Sequence, residues 1–173
     1  MKKFARYCKI ALDKSIDHAL VVETSSVFTS PWVRIKCRFG CPGYGKRLCC
    51  PPFTPDYNET RIMLDSYRHA ILLHRHWIKD YKALNDFNDI VVDLERTLFL
   101  DGYYKAFGMG SGPCKRCRIC DTSTACRNPE KARPSMESCG IDVFRTAREL
   151  GLPIRVLREQ GEERDTYGIV LIE

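Results

Sequence analysis

The chain has 173 residues, 44% of them apolar and 29% charged, with a formal net charge of +6. That length and apolar share suit a single folded domain over 1–173 with its own core and exclude global disorder. No apolar run nears the roughly 20 residues that cross a bilayer, and Lys9, Asp13, Lys14 and Asp17 break the stretch where a signal peptide needs its apolar centre, so a cytoplasmic setting is expected.

Residues 3–15 have the pattern of an amphipathic helix, and Cys8, near helical spacing with Ala11 and Leu12, reads as a buried side chain rather than a ligand. Residues 19–22 read as a short strand, and 33–36 as another that delivers Cys37. Thr54-Pro55 suits an N-cap and first helical position, opening a helix to Tyr67 that buries Ile62 and Met63. Residues 69–77 form the next strand, with Ala70, Ile71, Leu72 and Leu73 as its body. His74 and His76 share one face of it at period two. No cysteine or carboxylate nearby in sequence completes a ligand set, so this pair reads as a polar strand face.

The clearest helix starts near Asn85 or Asp86. Phe87, Ile90, Val91, Leu94 and Leu98 make its apolar stripe, and Asp89, Asp93 and Glu95 read as a solvated face. Residues 103–107 are a strand or helix tail, followed by the glycine run 108–113. That run fails as a dinucleotide fingerprint, because Pro113 and Cys114 stand where a helix is needed. Its glycines are expected to let backbone amides approach metal-bound sulfurs. Ser135 suits the N-cap of a helix burying Val143, Phe144, Ala147 and Leu150, stopped by Gly151 and Pro153. Residues 154–157 and 167–172 read as two strands, with a polar connection over 159–165. The expected fold class is α/β or α+β: a compact domain with a small mixed sheet, flanking helices and cysteine-rich metal-binding loops.

Ten cysteines in a chain able to build its own core point to metal or redox chemistry rather than disulfides. Cys114, Cys117 and Cys120, spaced C-x2-C-x2-C, put three thiolates on one tight loop, and Cys126 follows to close the site. Ferredoxin runs are similar, whereas zinc more often takes two separate C-x2-C pairs. An iron–sulfur cluster, most simply [4Fe-4S], is the favoured reading, with zinc as the alternative. The group earlier in the chain, Cys37, Cys41, Cys49 and Cys50, is spaced by glycines and prolines whose turns can gather thiols around one ion. It is not a radical-enzyme motif of C-x3-C-x2-C type, since Tyr44 occupies the third position.

Arg38, Lys46, Arg47, Lys115, Arg116, Arg118 and Arg127 lie among the cysteines. A cubane with four thiolates carries about −2, so these cations would offset it; two cubanes would take the formal +6 to roughly +2. The same cations could serve nucleic acid, but interleaved aromatic stacking residues are missing, and that reading is disfavoured.

Cys37-x3-Cys41-Pro42-x-Tyr44-Gly45, Cys50-Pro51-Pro52, Gly112-Pro113-Cys114-x2-Cys117-x2-Cys120, Cys126-Arg127-x-Pro129, Arg133-Pro134-Ser135-Met136-Glu137 and Gly140-Ile141-Asp142-Val143 carry a resemblance. Through them nearly the whole chain resembles an uncharacterised, cysteine-rich family of predicted metal-binding proteins found mainly in anaerobic bacteria and archaea. The resemblance implies metal or iron–sulfur binding and no particular reaction. In its pattern Cys37, Cys41 and Cys50 belong to the first motif, while Cys49 and Cys139 are departures. Cys50 therefore ranks above Cys49, and the first group takes its fourth ligand from Cys49, Cys139, a histidine or a small molecule.

Arg133 reads equally as an anion ligand or as part of an ordinary helix entrance. Three functions follow as expectations: an electron carrier with a redox partner protein, a cluster-dependent enzyme or enzyme activator with an open metal site for a small-molecule ligand, and a zinc-stabilised binding module.

Overall fold

The computed structural model describes residues 2–159 and 161–173, with the side chain of Trp77 set aside. Five α-helices and four strands are found among the described residues, and the class is α+β. In chain order they are α1 (Ala5–Leu12), β1 (His18–Glu23), α2 (Pro31–Gly40), α3 (Tyr57–Asp65), β2 (His69–Ile78), α4 (Tyr81–Leu100), β3 (Phe107–Met109), α5 (Val143–Glu149) and β4 (Arg164–Leu171). No helix of the described residues is long and apolar enough to cross a membrane.

The sheet has the order β1-β2-β4-β3. All three ladders are antiparallel, where a mixed sheet was expected. The period-two alternation of β2 builds a core on each face. Ala70 and Leu72 join Ile169, Leu171, Val143 and Ala147 on one side, and Ile71 and Leu73 join Phe4, Tyr7, Phe87 and Val91 on the other. Both faces of the sheet are thus covered, which explains the continuous apolar run in its central strand.

Several elements depart from expectation. Residues 33–36 are not a strand but the middle of α2, which Pro31 opens from its first turn. Val33 and Cys37 stand four residues apart on that helix, so the β-branched pair Val33 and Ile35 misleads by composition alone. The N-cap of α3 is Asp56 rather than Thr54, in a capping box whose carboxylate accepts from the amides of Asn58 and Glu59. That helix ends at Asp65; it buries Thr60 and Leu64 and leaves Ile62 exposed.

α4 begins at Tyr81, earlier than its apolar stripe, because Asp80 caps it through the Ala83 amide at 2.8 Å. Ser135 is not the N-cap of a helix: its Oγ accepts from the Ser138 amide at 3.1 Å beside the 3-10 turn Glu137–Cys139, whose N-cap is Met136, and Asp142 caps α5. Residues 154–157 pair with no strand and instead line a cavity. Of the polar connection 159–165, Gln160 lies outside the described residues.

The glycine run has a different partner from the one expected. A Cβ on Gly110 would lie 2.2 Å from Asn88 Oδ1, and one on Gly108 would lie 2.9 Å from both Glu95 Oε2 and Val91 Cγ1. The amides of Gly108 and Ser111 donate to Glu95 and Asn88 at 2.8 and 2.9 Å. These glycines therefore seat β3 and the following loop against α4, and their close approach is to a helix rather than to sulfur.

Candidate metal centre

α2 carries Cys37 on its last turn and leaves Cys41 as the first residue beyond it. The chain then folds back through a series of turns. The Tyr44 amide donates to Cys41 O at 3.2 Å, Gly45 N to Pro51 O at 2.8 Å and Cys50 N to Arg47 O at 2.9 Å. These turns bring Cys50 to Cys41 across Gly43, whose added Cβ would lie 3.5 Å from Cys41 Sγ and 4.0 Å from Cys50 Sγ. Gly43 N donates to Cys41 Sγ at 3.4 Å. Here a glycine does let an amide meet a sulfur.

Burial, reinforced by the neighbouring thiols Cys41 and Cys37, pushes the Cys50 thiol up to about 11. Burial likewise raises Cys37, with Cys41 and Glu137 adding to the effect. Cys37, Cys41 and Cys50 thus share one electrostatic neighbourhood, and a bound cation there would replace their protons.

The adjacent Cys49 belongs to the other group. Its thiol donates to Cys114 and is pushed strongly up, while Cys114 is pulled down by that same bond despite its burial, with the Arg116 amide and guanidinium assisting. Cys49, Cys114, Cys117, Cys120 and Cys126 line one small cavity of about 20 Å³ together with Arg47, Arg116 and Asn128. Asn128 Nδ2 donates to Cys117 Sγ at 3.1 Å, and Asn128 N to Cys126 Sγ at 3.4 Å. Arg47 Nη1 ties the first loop to the second through Cys117 O at 3.3 Å. Vicinal thiols cannot readily converge on one ion, and Cys49 and Cys50 part accordingly. Cys139 packs in the apolar core, and Cys8 is half-buried on α1, apart from both groups.

α4 holds the second loop in place. Arg116 pairs with Asp89, Nη1 to Oδ2 at 3.1 Å, and Arg133 forms a bidentate pair with Glu95, both bonds at 2.7 Å. Two of the acids expected on a solvated face are therefore clamps. Arg133 is also committed to the carbonyls of Pro129 and Ala132, so it is a structural residue rather than an anion ligand.

A cavity of about 1230 Å³ opens beside the first group. Cys37 and Cys41 lie on its wall with Trp32, Phe144, Val156 and Arg148. Glu137 faces it too; its Oε2 is sealed from solvent without a hydrogen-bond partner. Burial raises the Glu137 carboxyl, offset in part by its own amide, Ser135 and the Gly112 amide.

A third arrangement extends the pair His74 and His76, which its sequence neighbours alone leave as a polar strand face. β1 and β2 pair with His18 opposite His74, and β4 brings Asp165 beside them. One ring nitrogen from each of His18, His74 and His76 lies within 4.8 Å of the others. The period-two pair His74/His76 was visible in sequence, but the histidine and carboxylate that complete it come from two other strands.

No curated protein and no solved structure matches this chain. A family model does match, over residues 20–172, which include both cysteine groups, Asn128, His74, His76 and Asp165. On that match the chain belongs to the family described as predicted metal-binding protein (DUF2284).

Proposed function

We propose that this chain is an iron–sulfur protein in which Cys114, Cys117, Cys120 and Cys126 hold a [4Fe-4S] cluster. The observation that carries the reading is the convergence of these thiols on one cavity, with two N–H groups of Asn128 already aimed at Cys117 and Cys126. N–H donors at the sulfurs are the usual second shell of such clusters and tune their potential. Zinc would draw four sulfurs to about 3.8 Å from one another, given tetrahedral bonds near 2.3 Å. A cubane spaces its thiolates more widely, since each binds a different iron. The C-x2-C-x2-C run of ferredoxin type favours the wider arrangement. The Cys49–Cys114 hydrogen bond is the contact that a cluster would displace on entry.

Cys37, Cys41 and Cys50 would hold a further metal through three thiolates, and Cys37 and Cys41 lie on the wall of the 1230 Å³ cavity. Cys49 and Cys50, neighbours in the chain with one thiol in each group, give a short route between the two sites. Clusters held by these thiols would supply one-electron chemistry exchanged with a redox partner protein, and the cavity walled by Cys37 and Cys41 would admit a small-molecule ligand. This favours a cluster-dependent enzyme or activator as the second reading, and the specific observation is the apolar cavity at the three-thiol site.

The test is Cys117→Ala, purified anaerobically beside the parent. The expected outcome is loss of one cluster's visible absorption, with about four irons and four sulfides fewer per chain. Unchanged iron and sulfide would overturn the ligand assignment.

A further inference from the structure

We propose that His18, His74 and His76 form a separate mononuclear site for a divalent cation of the zinc class, with Asp165 as the carboxylate behind it. The site stands on the sheet and uses none of the cysteines. His18 comes from β1, the other two from β2, and Asp165 from β4. The antiparallel register sets His18 against His74, and their Nδ1 atoms are 2.9 Å apart. His74 Nε2 and His76 Nδ1 both address Asp165 Oδ1, at 3.0 and 2.8 Å.

This shared carboxylate decides the chemistry. An ionised carboxylate only accepts hydrogen bonds, so both ring nitrogens facing it carry protons. The opposite nitrogens, Nδ1 of His74 and Nε2 of His76, then carry lone pairs. A carboxylate that fixes the tautomer of a ligating histidine is the recurrent second shell of metal sites. His74 is fully buried, stacked on Tyr167 at a centroid separation of 4.6 Å, and its ring cannot swing away.

Without a cation, one proton lies between the two Nδ1 atoms of His18 and His74. A cation would take that place, with His18 changing tautomer so that its proton sits on Nε2 and its Nδ1 lone pair becomes a ligand. Three neutral nitrogens suit Zn²⁺ and its borderline neighbours, and three protein ligands leave a fourth position open. A cavity of about 400 Å³ lined by His76, Asp165, Arg155 and Arg164 adjoins the site, so water or an anionic ligand can reach that position.

The experiment titrates Co²⁺ into the full chain, purified anaerobically with its iron retained, and then adds Zn²⁺ in competition. The parent should take up one Co²⁺ with d–d bands and no thiolate charge-transfer band, and Zn²⁺ should displace it. His18→Ala and His76→Ala should each abolish that equivalent while leaving iron and sulfide content unchanged. Asp165→Asn retains all three imidazoles and should weaken Co²⁺ binding about 10- to 100-fold. It answers the question if either alanine variant fails to fold. The cation should also raise the melting temperature of the parent and not that of His18→Ala. Co²⁺ uptake equal to the parent's in the histidine variants and in Asp165→Asn, or a thiolate band on the bound Co²⁺, would overturn the site.

Discussion

Asn128 reaches two thiols at once, Cys117 through its side chain and Cys126 through its backbone. An N–H directed at a cluster sulfur favours the reduced, more negative state, so Asn128→Ala should move the cluster potential to a more negative value without changing iron content. Potentiometric titration followed by EPR reads this directly; an unchanged potential would mean that the Asn128 side chain does not address the cluster. The cysteine spacing was legible because ligands on one loop declare themselves locally. Asn128 was not, since nothing in C-R-N-P says which way an asparagine will turn. The parting of Cys49 and Cys50 likewise needed the fold, although the difficulty of aiming vicinal thiols at one ion already hinted at it. His18 and Asp165 lay beyond sequence reading for a plainer reason: strand pairing brings them to His74 and His76 across 56 and 91 residues of chain.

At the scale of elements, α4 is the brace of the cysteine loop. Glu95 accepts two bonds from Arg133 and one from the Gly108 amide, and Asp89 takes Arg116. The Arg133 and Glu95 side chains are only 19% and 12% exposed, so truncating the arginine strands a largely buried carboxylate. Arg133→Met should destabilise the protein by about 3 kcal/mol, in line with broken buried pairs, and Glu95→Gln added to it should recover part of that loss. Denaturant unfolding of the single and double variants checks both signs; a single-variant loss under about 1 kcal/mol would place this pair with weak surface bridges. The apolar stripe of α4 was readable from its period, and the roles of its acids were not. Helical periodicity separates buried from exposed faces, but a carboxylate bound by a distant arginine looks the same in sequence as a solvated one. α2 escaped for the opposite reason: its short apolar run, Val33 to Ile35, satisfies strand and helix alike, and Pro31 at the helix start was the better signal.

Across the molecule, the alternation in β2 and the long stripe of α4 made an α+β class accessible, because both record burial on definite faces. Strand order and the direction of each ladder were not, since they depend on pairings such as β2 with β4 that no local pattern encodes. The net charge of +6 becomes intelligible at this scale. Part of the basic surplus surrounds thiols that become anionic on binding metal: Arg47 and Arg116 line the cavity of the second group, and Arg116 draws the Cys114 thiol down.

The proposed iron–sulfur cluster at Cys114, Cys117, Cys120 and Cys126 has a direct chemical test. Iron, acid-labile sulfide and zinc per chain should therefore be measured on protein purified anaerobically. About four irons and four sulfides are expected from the Cys114 cluster, rising to about eight of each when the Cys37 group also holds a cubane. Zinc at the cysteines, with neither iron nor sulfide, would contradict the cluster assignment.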